Sequence, residues 1–237
     1  MSRPPRALTV VPGVPHHLIW RGNNRRRLFS YWTCYARFLR ELERAAHQYE
    51  LAIHALVLMT NHVHLVATPL SVEMLSACMH RVGQQYAVFR NQRRGASGKL
   101  FQERYRCKPV LDETYLARLV PYVELNPERA GMVDDLAHYR WSTFALHTGR
   151  AEQSIVPPSL WTPSPWWMSL GANASERAER HLELIAACRR GGAAALDAAD
   201  VQEIAEHELA SAPYARRLLR PDGSRAAEET ARFLRRS

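Results

Sequence analysis

Residues 14–20 alternate weakly between apolar and polar positions and run into Arg21-Gly22-Asn23-Asn24, which predicts a strand opening into a turn. Between residues 33 and 49, Tyr35, Phe38, Leu39, Leu42, Ala45 and Ala46 recur at helical spacing among charged residues, predicting an amphipathic helix. Residues 51–59 (LAIHALVLM) are apolar on both faces and short for a helix, which fits a central strand. Thr60-Asn61 breaks the run, HVHLVAT over 62–68 is a second strand, and so short a link implies an antiparallel hairpin. Residues 71–91 carry Met74, Leu75, Met79, Val82, Tyr86 and Phe89 in a long helical pattern that ends at the loop Gly95-Ala96-Ser97-Gly98. Residues 100–110 suggest an irregular, basic strand or ribbon. Asp112 is expected to cap a helix bearing Tyr115, Leu116, Leu119, Tyr122 and Val123, kinked or divided by Pro121 and ended or interrupted at Asn126-Pro127. The order predicts an α+β antiparallel sheet with helices packed on one face.

The texture changes after about residue 148. Residues 156–167 are rich in Pro and Trp, and Ala-, Arg- and Glu-rich stretches follow, with cap signals at Asn173 (with Glu176) and Asp200 (with Glu203). The expectation is a main unit over 1–150, then over 151–237 a linker and a small helical C-terminal appendage whose last residues, including Arg232, Arg235 and Arg236, fray.

Composition narrows the class. The chain has 237 residues, 46% of them hydrophobic, enough for a core. It shows neither the eighteen or so apolar residues in a row of a membrane helix nor a leader pattern, so a cytoplasmic protein without membrane contact is expected. Cys34, Cys78, Cys107 and Cys188 are scattered and suit reduced, structural thiols. Lys and Arg number 32 against 23 Asp and Glu, a net charge of +9 with pI near 9.8, and most of the positive charge is Arg. Guanidinium forks match phosphates, although an Arg-biased genome produces the same excess.

Three groups of residues carry possible chemistry. In His62-Val63-His64 the alternation of a strand points both imidazoles one way, a geometry that ligates a divalent ion and equally suits a surface or core pair. Tyr122 and Asn126 lie four apart on one helical face; a phenol with an ordinary pKa of about 10 needs a cation or base to become a nucleophile. Packing for the Tyr and a helix stop for the Asn are the alternatives. Arg21, Arg25, Arg26, Arg27, Arg90, Arg93, Arg94, Lys99, Arg104, Arg106 and Lys108, with Phe101 and Tyr105 interleaved, suit single-stranded DNA or form a solvated rim. His16 and His17 precede a strand and are weaker candidates for the same site. His47, His54, His80, His138, His147, His181 and His207 have no partner by spacing.

Five blocks in order, HLIWRGN (17–23), HALVLMTNHVHL (54–65), FQERY (101–105), YVELNPERAG (122–131) and YRWS (139–142), resemble the REP-associated tyrosine transposases, relatives of the insertion-sequence single-tyrosine transposases. The resemblance implies a ferredoxin-like HUH endonuclease fold. It implies that His62 and His64, with Asn126 as third ligand, hold Mg²⁺ or Mn²⁺, and that Tyr122 is the nucleophile. Tyr86 is a second tyrosine on a helix whose surroundings do not match. The implied partner is single-stranded, hairpin-forming DNA from repeated extragenic palindromes, cut through a covalent 5′-phosphotyrosine by a monomer or homodimer that associates with the nucleoid. Two other readings stand: a catalytically silent DNA- or RNA-binding protein on the same fold, and a metal hydrolase using Glu124 or a spare His as base.

Overall fold

The structure, a computed structural model, describes residues 9–191. Strand β1 (His16–Arg21) is followed by α1 (Trp32–Gln48), β2 (Ala52–Leu58), β3 (His62–Thr68), α2 (Val72–Arg94) and β4 (Arg106–Pro109). The helices α3 (Glu113–Glu124), α4 (Asn126–Arg129), α5 (Phe144–His147), α6 (Pro165–Ser169) and α7 (Ala174–Gly191) complete the order. The four strands form one sheet in the order β2-β3-β1-β4, with every neighbouring pair antiparallel. This is the α+β antiparallel architecture expected from the alternation of patterns. Among the described residues no helix is long and apolar enough to cross a membrane.

The two faces of the sheet are used differently. Helices α1 and α2 pack on one another, and α2 rests on Trp20: a Cβ at Gly83 would lie 2.5 Å from the Trp20 ring, so only glycine allows this approach. Leu18, Trp20, Val63 and Leu65 share that face by strand alternation and register. Phe29, Phe38 and Tyr86 fill the layer with interlocked rings. Tyr86, the second tyrosine on a helix, is a core residue: its hydroxyl donates to the Leu28 carbonyl, and burial pushes the phenol well above its usual pKa. The same alternation turns His17, Ile19, Arg21, His62 and His64 to the opposite face.

Local departures have physical reasons. The expected strand over 100–110 is reduced to β4, with Phe101 and Tyr105 buried against Trp20 and Phe101 paired to Gly22 by an isolated bridge. Helix α3 runs unbroken through Pro121, whose carbonyl still accepts from Leu125, and the change of helix comes at Leu125. Asp112 caps α3 as expected, accepting from Thr114 N.

Residues beyond 150 are fastened to the sheet edge and to α3. Residues 141–143 bond to Leu56 and Leu58 of β2, and Thr162 N donates to Ile53 O. A register shift lets His54 turn out of the ladder, so that its ring bonds Thr162 O and Thr68 Oγ1. These contacts cover an edge that would otherwise offer free backbone groups. Asn173 and Glu176 form the expected reciprocal cap of α7. The signals at Asp200 and near Arg232 to Arg236 lie outside the described residues.

Candidate metal and nucleophile centre

His62 and His64 stand on β3 with ring centroids 4.8 Å apart, and both are fully buried. Asn61 Oδ1 lies 2.7 Å from His62 Nδ1, so it accepts that proton and leaves the lone pair on Nε2. His17, opposite Val66 on β1, brings its Nε2 to 3.0 Å from His64 Nδ1, with the two rings stacked. Each imidazole is thus oriented through Nδ1, the arrangement by which a ligating histidine is aimed. This donor set suits a divalent ion. His16 faces the other way and bonds Val11 N and Val14 O, so it does not join the group.

Tyr122 lies near the end of α3 and Asn126 opens α4; both are buried, and α3 packs on β2. The Arg129 guanidinium covers the Tyr122 ring at 3.9 Å and donates to the Tyr122 carbonyl.

Between these residues, Glu124 makes a second centre. Its Oε1 takes His147 Nδ1 at 2.7 Å and the Thr143 hydroxyl at 2.9 Å, and its Oε2 takes His181 Nε2 at 2.7 Å. Burial by itself would raise the carboxyl's pKa, but the attraction of His147 and His181 and their hydrogen bonds outweigh it and hold the group well below the usual carboxylate range. Burial lowers the His181 pKa against the opposing pull of the neighbouring carboxylate. The donor atoms of Glu124, His147 and His181 lie within 4.8 Å of one another, the one such trio of possible metal ligands found among the described residues.

Residues 10–126, about half of the chain, match the family model of IS200-like transposases. Over that span the chain belongs to this family. A solved structure of a REP-associated tyrosine transposase bound to a REP hairpin superposes with a TM-score of 0.54 at 19% identity, covering 69% of this chain and 93% of that one, which shows a shared fold. The comparison with curated proteins gives no match.

In this transposase domain the basic residues divide into two sets. Arg25, Arg26, Arg93, Arg94, Lys99, Arg104, Arg106 and Lys108 are exposed, while Arg21 and Arg27 are half-buried. Arg90 departs from the expected rim: it is buried and donates to Cys34 Sγ and Ser30 Oγ, a core role. Phe101 stacks on Trp20 at 3.8 Å and Tyr105 meets it edge-on, so these aromatics are packed inward rather than standing out as platforms. With Lys99, Arg104 and α2 they border a cleft of about 800 Å³.

Four residues near the two centres escape sequence reasoning to different degrees. Asn61 and Arg129 fall inside quoted blocks but carry no spacing signal of their own. His147 and His181 lie beyond the family match, 23 and 57 residues from Glu124, and no local pattern links them. His47, His80 and His138 are exposed.

Proposed function

We propose that the chain is a metal-dependent single-strand DNA endonuclease and strand-transferase acting on hairpin-forming repeated palindromic DNA through a 5′-phosphotyrosine on Tyr122. The observation that carries the reading is the pair His62 and His64, turned to one face and each oriented through Nδ1. The IS200-like family match and the hairpin bound to the structural relative support it.

A Mg²⁺ or Mn²⁺ ion held by His62, His64 and Asn126 would draw charge from the scissile phosphate and stabilise what develops on its oxygens. Asn61 and His17 keep the imidazoles aimed. Arg129 holds the Tyr122 ring in place, and the Tyr122 oxygen attacks phosphorus. One P–O bond to tyrosine forms as the P–O bond to the 3′ oxygen breaks, and that oxygen takes a proton to leave a free 3′-OH. A second 3′-OH reverses the exchange and releases Tyr122, so the bond energy is conserved. The exposed arginines and lysines hold the strand through its phosphates.

The burial of His62, His64, Tyr122 and Asn126 favours one other reading, hairpin binding without cleavage. A labelled single-stranded oligonucleotide carrying a hairpin from the host's palindromic repeats, incubated with Mg²⁺ or Mn²⁺ and run on a denaturing protein gel, separates the two. A covalent band that needs the metal and vanishes in Tyr122→Phe is expected. A bound but uncut oligonucleotide under every metal supports the silent binder.

A further inference from the structure

Helix α7 meets the segment from Tyr122 to Arg129 at three points. His181, Cys188 and Arg189 are seven and eight residues apart, so they share one face of the helix. His181 donates to Glu124 Oε2. Cys188 Sγ accepts from Arg129 Nη2, the guanidinium that covers the Tyr122 ring. Arg189 grips Glu128 with two parallel hydrogen bonds of 2.7 Å each. Ile185, between the first two, is buried and supplies the apolar part of the contact. From another side, His147 of α5 and Thr143 hold the second oxygen of Glu124.

The segment so held needs an external support. Helix α3 ends at Glu124 and α4 begins at Asn126, so no continuous helix carries Tyr122 and Asn126 together. Their relative placement depends on what grips the chain between and just after them. Glu124 lies between, and Glu128 and Arg129 lie just after.

A metal at the Glu124 trio explains the contacts less well. Both carboxylate oxygens are already taken by short hydrogen bonds. His181 Nδ1 is buried with no hydrogen-bond partner among the described residues, whereas a ligating imidazole is ordinarily oriented through its second nitrogen. The trio is a hydrogen-bonded clamp.

We propose that α7 is a brace for the nucleophile-bearing segment: through Glu124, Glu128 and Arg129 it positions Tyr122, and it is required for strand cleavage rather than for hairpin binding. This rests on the reading of Tyr122 as nucleophile. The positioning residues, His181, Cys188, Arg189 and Glu124, touch no reacting atom. His181, Cys188 and Arg189 come from a helix outside the span that matches the family, whereas Glu124 lies within it.

The test uses the full chain and the hairpin oligonucleotide. Arg189→Glu is expected to slow single-turnover adduct formation about tenfold while the hairpin Kd stays within about twofold. Combining it with Glu128→Arg should restore the rate to within about threefold of wild type, because the ion pair is re-made in reverse. His181→Gln should slow the adduct at least about tenfold at a temperature where melting shows it folded. Leu39→Ala, in the α1 core, serves as control: it should lower the melting temperature at least as much yet leave the rate unchanged. The brace is overturned if Leu39→Ala slows cleavage equally, if the charge swap fails to rescue, if Kd worsens in step with the rate, or if stoichiometric metal is lost with His181→Gln. Should the wild type form no adduct, the Tyr122 reading fails on its own. Hydrogen exchange then judges the brace: faster exchange confined to residues 122–129 in Arg189→Glu supports it, and unchanged exchange there refutes it.

Discussion

Two groups of buried imidazoles occupy this protein, and they solve different problems. His17, His62 and His64 are oriented by one another and by a neutral amide, with His62 and His64 each gripped at Nδ1. His147 and His181 instead direct their protons at one ionised carboxylate, which with Thr143 has both oxygens occupied. The first arrangement suits the proposed metal ligation. The second satisfies a buried charge and ties three helices together. In the proposed reading, comparable burial therefore serves different ends: metal binding in one group and shape in the other.

Substitutions can break or sharpen that contrast. The largest effect is expected at the first group: Tyr122→Phe and His64→Ala should reduce adduct formation on the order of 10⁴-fold or more. Calorimetry of both variants should show little loss of melting temperature. A His64→Ala protein that no longer folds would erase the distinction. Next comes Glu124→Ala, which strands two imidazoles in the core and should cost about 3 kcal/mol, on the order of 10 °C in melting temperature. Preserved stability there would mean that the clamp holds nothing. Smaller still, Asn61→Ala should weaken metal binding about 10- to 100-fold by titration calorimetry, with hardly any change in melting.

The smallest effect lies in the α1–α2 layer, which belongs to neither group. There burial pushes the Cys78 thiol up to about 12 and the Tyr35 and Tyr86 phenols above their usual range. Groups raised on folding contribute stability that is complete below their unfolded values, 9.0 for the thiol and 10.0 for the phenols, and is lost as pH rises past them. Melting curves between pH 8 and about 9.5 should therefore lose about 1 kcal/mol, by the same amount in wild type, His64→Ala and Glu124→Ala. A loss that differs among the three would show that the layers are coupled.

Much of the fold was legible because its signals are local. The apolar run over 51–59 and HVHLVAT announce a hairpin, and β2 and β3 follow it closely. The helices at Trp32–Gln48 and Val72–Arg94 repeat their apolar spacing. The basic ribbon was less legible, since Phe101 and Tyr105 gained more from burying against Trp20 than from extending β4. Arg90 reads as one more cation in a basic helix end, and only the packing of Ser30 and Cys34 beside it makes it a core residue. Pro121, which ordinarily divides a helix, is accommodated within α3.

What the sequence by itself determined is whatever depends on local spacing: a period of two puts His62 and His64 on one face of a strand, whereas the helix expected to carry both Tyr122 and Asn126 changes at Leu125. Which residues would meet Glu124 was decided only by the tertiary structure. His147 and His181 reach it from 23 and 57 residues away, along a chain that first crosses the sheet edge and then returns on α7. A hydrogen bond recognises distance and direction in space, and no periodicity along the chain encodes where a distant helix will come to rest.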